Sequence, residues 1–393
     1  MRLFTLGRDI VRNRMGAVTR PRFLTYLVTF ACNARCIMCD SWRKDSSDVL
    51  TLGEIANIFD QLPRMDAVRL SGGEPFVRAD LPEIARLAEE RLCPLALHVT
   101  TNGFLTRRIV DFCEQRSRRR PLHLLVSLDG VGSAHNQVRG RDTAWSAAIA
   151  TAQALAPRQR ELSLRLAVNQ TIVNAEGLRN YRQLRDILQP LGVRLNVVVA
   201  YDVSATYARQ DERDVAPKQP GEFGTFARLS PEATRELLDE LERDTGAQPL
   251  PERWARRYYL RGIRNRLLRA VALPNPICVA LRSHLRVYPN GDVPTCQFNG
   301  RRVGNLRRQH FEAVWFGQPA HQQRQWVRQC PGCWAECEVI PNAVYSGDWL
   351  GWGLGHPQPG RSEGAAPGDE PSRAPQPLPI PVSRPGLSGD SRR

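Results

Sequence analysis

Residues 23–201 alternate between short apolar runs and longer stretches in which apolar residues recur at helical spacing. Short apolar runs of this kind are typical of strands, and the amphipathic stretches between them are typical of helices. The predicted strands are 23–30, 67–71, 95–100, 122–127, 161–171 and 193–200. The predicted helices are 51–61, one capped by Asp80, 105–115, 143–156 and 176–188. Six β/α units in series predict an α/β fold with a parallel sheet, either barrel-like or doubly wound.

Short polar motifs predict where several elements begin. Thr51 and Glu54 form a capping box, and Ser230 followed by Pro231 opens a helix. Asn290-Gly291 lies between two short apolar runs, which predicts a β-hairpin whose flanking strands bring Cys278 and Cys296 together.

The regular alternation stops after residue 201, and the remaining chain divides into segments of different composition. A short basic lead covers 1–22, and a helical bridging segment covers 202–275. Residues 276–345 are rich in cysteine, whereas residues 355–393 are Pro, Gly and Ser with few apolar residues, which predicts disorder. We expect an α/β domain over 23–201 followed by a separate cysteine-rich domain.

Composition and charge narrow the class of protein. The chain has 393 residues with 42% hydrophobic and 24% charged residues, as in soluble proteins. No apolar run approaches the roughly 20 residues of a membrane span, and no signal segment is evident, so we expect a cytoplasmic protein. The net charge of +15 rests almost wholly on arginine. It favours a solvated surface over nucleic-acid binding, and leaves a weak contact with an anionic surface open.

Three cysteines follow the first predicted strand directly. Cys32, Cys36 and Cys39 have the spacing C-x3-C-x2-C, which lets one loop reach three corners of a 4Fe–4S cube. Three thiolates leave the fourth iron open, as in a reactive metal centre. The alternative is a structural zinc ion with His98 or His123 as an additional ligand.

Further motifs stand at the ends of the next strands. They are Ser-Gly-Gly-Glu-Pro at 71–75, Thr-Thr-Asn-Gly at 100–103, Ser-Leu-Asp-Gly at 127–130 and His-x3-Arg-Gly at 135–140. The cysteine loop resembles the signature of the radical S-adenosylmethionine (SAM) superfamily, and residues 72–75 resemble its GGEP motif. All of these positions fall where α/β folds bind ligands, at the carboxyl ends of strands.

The resemblance implies a partial (β/α)6 TIM-like barrel that binds SAM at the open iron. It implies reductive cleavage of SAM to a 5′-deoxyadenosyl radical that abstracts hydrogen from a substrate carbon. The residues that it places around SAM are Gly72, Gly73 and Glu74 at the amino group, Ser127 and Asp129 towards the ribose, and Arg139 at the carboxylate. Asn102, in the motif at the end of the third strand, is also expected to contact SAM.

A second set of cysteines lies in the C-terminal part. Its members are Cys278, Cys296, Cys330, Cys333 and Cys337, beginning with the spacing C-x12-G-x4-C. This pattern resembles the twitch and SPASM domains, which hold auxiliary 4Fe–4S clusters. Four thiolates close one cluster, and the first choice of ligands is Cys278, Cys296, Cys330 and Cys333. In the alternative arrangements, Cys337 replaces one of these four or stays free. Two clusters, or a structural zinc ribbon, are the alternatives.

These features predict a radical SAM enzyme that makes an oxidative or bond-forming change in a peptide or small metabolite. The alternatives are modification of a lipid or RNA, and a non-catalytic, zinc-stabilised RNA-binding protein. Expected partners are a flavodoxin- or ferredoxin-type electron donor and, for a peptide substrate, a separate carrier, since only 22 residues precede the first strand. The catalytic base is unassigned, with Tyr201 and Asp202 as positional guesses.

Overall fold

The computed structural model describes residues 2–201, 204–208, 225, 229–247 and 250–352. Within them the strands are β1 (Phe23–Thr29), β2 (Ala67–Gly72), β3 (Ala96–Thr101), β4 (Leu122–Ser127), β5 (Leu164–Ile172), β6 (Arg194–Val199), β7 (His284–Val287), β8 (Asp292–Pro294) and β9 (Arg302–Asn305). A parallel sheet runs in the order β6-β5-β4-β3-β2-β1-β7, and β8 pairs antiparallel with β9.

Helices follow most strands of the sheet. The helices are α1 (Arg2–Arg14), α2 (Leu52–Gln61), α3 (Leu81–Leu87), α4 (Thr106–Gln115), α5 (Ser133–Arg139), α6 (Ala144–Leu155), α7 (Gly177–Leu188), α8 (Pro231–Asp244), α9 (Leu250–Arg269), α10 (Phe311–Phe316), α11 (Gln318–Gln329), α12 (Glu336–Ser346) and α13 (Asp348–Trp352). Short turns of other helix types are Ser41–Arg43, Pro75–Val77, Ala88–Leu92, Ala156–Arg158 and Thr245–Ala247. None of the described helices is long and apolar enough to span a bilayer.

The two faces of the sheet differ in what they contact. In β2, Val68 and Leu70 are buried in the main core together with residues of α2, α3 and α4, whereas Arg69 and Ser71 point to the opposite face. We call this opposite face the inner face. Neighbouring strands β1 to β6 follow chain order, and their helices cover one face only. The sheet is therefore barrel-like, because a doubly wound sheet carries helices on both faces.

A seventh strand joins the six that the sequence predicted. β7 pairs in parallel with β1, with Phe23 opposite His284 and Tyr26 opposite Val287. All four residues of β7 are buried, as expected of a strand inside a parallel sheet. The cysteine-rich region thus supplies one strand of the barrel sheet.

The predicted hairpin around residues 290–291 is wrong, although its turn forms. The Gly291 N–H donates to the Tyr288 carbonyl at 3.0 Å, and Gly291 has a φ of +90°, which favours glycine. The strands on either side then separate, because β7 pairs with β1 while β8 pairs with β9.

Two of the predicted helix starts are confirmed in detail. Thr51 and Glu54 make both bonds of the capping box, and the Ser230 hydroxyl accepts from the Ala233 N–H at 3.1 Å. Asp80 occupies the N-cap position of α3, but its carboxylate pairs with Arg78 at 2.6 Å instead of capping the helix.

The arginines of α9 are largely used inside the molecule. Arg256 is buried and lies 3.7 Å from Glu336, and the Arg264 guanidinium pairs with acidic residues of α8. The Arg266 guanidinium lies 4.0 Å from the centre of the Trp334 ring. These contacts count against the use of α9 as a free basic surface. The tail predicted to be disordered, 355–393, lies outside the described residues.

Candidate functional site

The first cysteine loop lies between β1 and the short turn Ser41–Arg43, at the carboxyl end of the sheet. Its backbone is bonded to the end of α5: the Arg35 N–H donates to the Arg139 carbonyl at 2.9 Å, and the Ile37 N–H donates to the Val138 carbonyl at 3.0 Å. Cys39 is followed by Asp40, whose N–H donates to the Tyr207 carbonyl at 2.9 Å. The loop is therefore held from both sides before any ligand is considered.

The three thiols of this loop lie close enough to raise one another's pKa. Burial is the main cause and raises the pKa of Cys32 to about 12 and that of Cys39 to about 11, with smaller contributions from the neighbouring thiols. Burial also raises the pKa of Cys36. The Arg139 guanidinium, 3.6 Å from Cys36 Sγ, acts to lower this pKa. Thiols held protonated in this way become ligands when a metal ion compensates the charge. The donor set therefore fits an iron–sulfur cluster.

The GGEP turn packs directly on the cysteine loop. A Cβ on Gly73 would lie 2.3 Å from the Ala31 carbonyl oxygen and 2.4 Å from that of Phe30. The Gly73 N–H donates to the Thr29 carbonyl, and the Glu74 N–H donates to the Ala31 carbonyl at 2.9 Å. Glycine is required at this position because the two backbones are in contact.

Glu74 is a buried carboxylate surrounded by donors. It accepts from the Thr101 hydroxyl at 2.7 Å, the Asn102 N–H at 2.6 Å and the Phe76 N–H at 3.1 Å. Burial raises its pKa to about 7, and the donated bonds favour the ionised form. A cationic ammonium group placed beside Glu74 would complete the charge balance.

Asn102 and Ser127 lie at neighbouring strand ends. The Asn102 side-chain amide donates to the Asn33 side-chain carbonyl at 2.7 Å, so it orients the cysteine loop. Ser127 is buried at the end of β4. The sequence does not predict the contact between Asn102 and Asn33, because no motif links these two positions and only the fold brings them together.

Asp129 and Arg139 form a buried ion pair. The Asp129 carboxylate lies 2.7 Å from the Arg139 guanidinium and accepts from the Thr171 N–H at 2.9 Å. The Asp129 N–H donates to His135 Nδ1 at 3.0 Å, and burial lowers the pKa of His135 to about 4, so this ring is neutral. Both oxygens of Asp129 already have protein partners. The ion pair therefore fixes the position of Arg139 beside Cys36.

Tyr207 is a candidate residue that the sequence gave no reason to select. Its side chain packs against Leu27, Phe30 and Tyr288 and is hydrogen-bonded to Ser71. The charges that act on its hydroxyl include those of Cys39 and Cys337, one from each cysteine group. Tyr207 thus lies between the two groups. Its position in the loop after β6 carries no motif that could have identified it.

The second cysteine group is assembled from separate segments of the chain. Cys278 precedes β7, Cys296 follows β8, and Cys330 and Cys333 lie between α11 and α12. Burial raises the pKa of Cys278 to about 12 and raises those of Cys296 and Cys333 well above their usual range, and these thiols also act on one another.

Cys337 packs with Cys296, Cys330 and Cys333 around Phe298 and Ala335. After burial, which raises its pKa to about 11, the charges that act on it most are those of Glu338, Arg69 and Arg286. Its Sγ lies 2.9 Å from the Gln297 side-chain oxygen. The thiol therefore borders the inner face of the sheet.

Across the described ranges, no three His, Cys, Asp or Glu side chains converge closely enough to bind one metal ion. A cluster takes its thiolates at separate corners and does not need that convergence. The rings of His98 on β3 and His123 on β4 lie with their centres 4.5 Å apart and their planes tilted by 41°.

Tyr201 is unsuited to the role of general base. Its ring packs on Phe298 with centres 4.9 Å apart, and its hydroxyl accepts from the Gln297 amide. Burial, and next the charge of Cys337, raise its pKa well above the usual value, so the phenol keeps its proton at neutral pH. Asp202 lies outside the described residues.

Family models match both cysteine groups. The model of the radical SAM superfamily matches residues 26–170, and the SPASM model, an iron–sulfur cluster-binding domain, matches residues 278–337.

Two relatives and one solved structure are similar to this chain. The AdoMet-dependent heme synthase of Methanosarcina barkeri is 26% identical over 318 residues, which are 75% of this chain and 82% of that protein. The mycofactocin maturase MftC of Mycolicibacterium smegmatis is 31% identical over 126 residues, which are 31% of each chain. The fold is similar to that of SuiB from Streptococcus suis, solved with bound SAM, with a TM-score of 0.55 and 14% identity over 80% of this chain and 70% of that one. The chain therefore belongs to the radical SAM superfamily, as an iron–sulfur enzyme with a C-terminal SPASM domain.

Proposed function

We propose that this enzyme uses residues 23–201 to bind and cleave SAM and residues 276–345 to hold an auxiliary cluster, and that it modifies a peptide or a small metabolite. When bound, the clusters and SAM supply one-electron chemistry: reductive cleavage of SAM, hydrogen abstraction from a substrate carbon, and a site that can accept the substrate electron. The protein's own residues position these groups and exclude water.

Cys32, Cys36 and Cys39 are the proposed ligands of the SAM-binding cluster. Arg139 is held by Asp129 and lies against Cys36, so it offers a fixed cation to a carboxylate beside that cluster. Glu74 offers a buried anion to an ammonium group, and the three hydrogen bonds that its carboxylate accepts keep it in place. The two charged residues therefore provide complementary partners for the amino and carboxylate groups of an amino acid.

Cys278, Cys296, Cys330 and Cys333 are the proposed ligands of one auxiliary cluster. Mutual electrostatic effects relate Cys278, Cys296 and Cys333, and the charge of Glu338 acts on these three thiols as well as on Cys337. The charges of Arg69 and Arg286, on the inner face, act on Cys337 in addition. Cys337 is then left as an additional thiol beside that cluster.

The comparisons support a peptide or metabolite substrate without deciding between them. One relative is named a heme synthase and another a mycofactocin maturase, and SuiB was also solved with its precursor peptide SuiA. A flavodoxin- or ferredoxin-type protein is the proposed electron donor. In an alternative in which the chain binds RNA without catalysis, Arg256, Arg264 and Arg266 of α9 would give little support, because they make contacts within the molecule.

The observation that carries this proposal is the convergence of Glu74, Asn102 and Arg139 on one three-cysteine loop. The test is anaerobic reconstitution of the full chain with iron and sulfide, followed by reduction in the presence of SAM. We expect a brown protein with about four iron and four sulfide per cluster and release of 5′-deoxyadenosine measured by mass spectrometry. A colourless protein that binds zinc and leaves SAM intact would contradict the proposal.

A further inference from the structure

One transverse row of the inner face consists almost entirely of basic residues. The strand pairings place Arg286, Thr25, Arg69, His98, His123 and Arg165 in register across β7, β1, β2, β3, β4 and β5. Each residue is the partner of the next, so the six form one continuous line that we call the basic row. Residues in register on neighbouring parallel strands point to the same face.

Carboxylates meet this row only at its two ends among the described residues. At one end Glu338 lies 2.5 Å from Arg286. At the other end Glu252 lies 3.7 Å from Arg165 and is paired with Arg194, which belongs to the next strand. Each of these carboxylates is shared with a second basic side chain.

The middle of the row has no such neutralisation. Within the part of the chain that the structure describes, Arg69 makes no ion pair, and its guanidinium lies 5.1 Å from the centre of the Phe23 ring. His98 and His123 come next in the row, with ring centres 4.5 Å apart and ring planes tilted by 41°. A half-buried guanidinium without an anionic partner is costly unless a ligand supplies one.

The local electrostatics are those of an anion-binding surface. Burial lowers the pKa of His98 well below its usual value, and the charges of His123 and Arg69 lower it further. Burial, followed by Arg165 and Arg194, lowers the pKa of His123 to about 4. Both rings are neutral at pH 7 and can donate one N–H each, while the arginines supply the positive charge.

The row also lies between the two cysteine groups. Arg69 and Arg286 are among the charges that act on Cys337 at the second group. Two residues beyond Arg69 on the same face is Ser71, which is bonded to Tyr207, and Tyr207 is in turn influenced by Cys39 of the first group. A molecule held on the row would therefore lie within reach of both groups.

We propose that the basic row binds an anionic group of the substrate, a carboxylate or a phosphate, and holds that substrate between the two clusters. This inference rests on the proposed function, because it assigns a chemical class to the substrate of that reaction. A purely structural role does not require charge here, since an apolar side chain at position 69 would cost less to bury. Arginine presents a planar set of donors that matches either anion.

The test is calorimetric titration of the reconstituted, full-length enzyme with SAM bound, using inorganic phosphate in one arm and glutarate in the other. We expect binding at one site by at least one probe, and the arm that binds more tightly identifies the anion. Arg69→Gln should weaken binding of that probe about tenfold or more, since it removes a charge-assisted contact. Arg107→Gln is the matched control, because the Arg107 side chain is 96% exposed and lies on α4, and it should bind as wild type does.

Arg165→Gln provides a second variant that is tolerated by the fold, since the Arg165 side chain is 56% exposed at the end of the row. It should weaken binding several-fold. Equal affinities of wild type, Arg69→Gln and Arg165→Gln, or no binding of either probe to wild type, would overturn the inference while release of 5′-deoxyadenosine persists. The converse outcome is that the protein binds the probe in an Arg69-dependent way and yet leaves SAM intact. That result would support the anion site and contradict the proposed function.

Discussion

The two cysteine groups differ in how the chain builds them. The first uses a single loop, residues 32–39, whose backbone is bonded to the end of α5 and packs against the GGEP turn. The second draws its thiols from separate segments between residues 278 and 337, on both sides of β7 and β8. One group is local in sequence, although tertiary contacts hold its loop, and the other is assembled by tertiary structure.

The carboxylates beside the groups differ as well. Burial raises the pKa of Glu74, next to the first group, to about 7. Glu338, next to the second group, has its pKa lowered to about 2: burial acts to raise it, and the contacts with His284 and Arg286 outweigh that effect. The first group thus has a carboxylate that gains from a cationic ligand, and the second has one already neutralised by the protein. This difference fits an open, ligand-binding centre and a closed one.

Loss of a first-group cysteine should have the largest effect. Cys36→Ala removes one of only three ligands, so we expect release of 5′-deoxyadenosine to fall by roughly a thousandfold or more, to the background of the assay. Single-turnover assays with dithionite measure this release.

Cys93→Ser is the matched control, since Cys93 ends the turn Ala88–Leu92 and belongs to neither group. It should retain both iron and activity. Equal activity of Cys36→Ala and wild type would remove the distinction between an open and a closed centre.

Glu74→Gln should have the next largest effect. The substitution removes the buried negative charge. It also replaces one acceptor oxygen by an NH2 group that faces other donors, so we expect KM for SAM to rise about 10- to 100-fold. Steady-state release of 5′-deoxyadenosine over a range of SAM concentrations measures it. Glu90→Gln, at an exposed pair with Arg86, is the control and should leave KM unchanged. An unaltered KM in Glu74→Gln would show that this carboxylate does not bind SAM.

Iron content should separate the ligands of the second group from its additional cysteine. Cys296→Ala should lower the iron content from about eight to about four per chain, because one auxiliary cluster is lost. Cys337→Ala should leave about eight. Iron analysis of anaerobically reconstituted protein, together with the SAM-cleavage assay, gives both values. The reverse pattern would assign Cys337 as a ligand and release Cys296.

What the sequence could predict follows the same division between local and tertiary structure. Cys32, Cys36 and Cys39 and the motifs at strand ends could be located, because strand alternation places them on one edge of the sheet without further information. The capping box at Thr51 was likewise a local signal. The roles assigned to these site residues remain predictions that the experiments above test.

Features that depend on register could not be predicted. Arg69, His98 and His123 each occupy an ordinary polar position in an alternating strand, and only the pairing of the strands aligns them. The hairpin at residues 290–291 was predicted wrongly for a similar reason. Its turn is local, but the better partner of β7 is β1, which buries both faces of the short strand.

The smallest expected effect concerns the stability that Glu338 gives to the second group. Although burial acts to raise the pKa of Glu338, the charges of His284 and Arg286, which contact its carboxylate, lower it. Because the pKa of Glu338 is about 2 in the folded chain and near the ordinary glutamate value of 4.5 when unfolded, its stabilisation is complete above pH 4.5 and is lost as the pH falls towards 2. Glu338→Gln should therefore lower the Tm of the metal-free chain by several degrees at pH 7, and the difference from wild type should shrink below pH 4.5.

Thermal unfolding followed by circular dichroism from pH 3 to pH 7 measures this, with Glu90→Gln as a control that stays within a degree or so of wild type. Were Glu338→Gln as stable as wild type at pH 7, the buried ion pair would not distinguish the closed centre from the open one, and the contrast would rest on the cysteines alone.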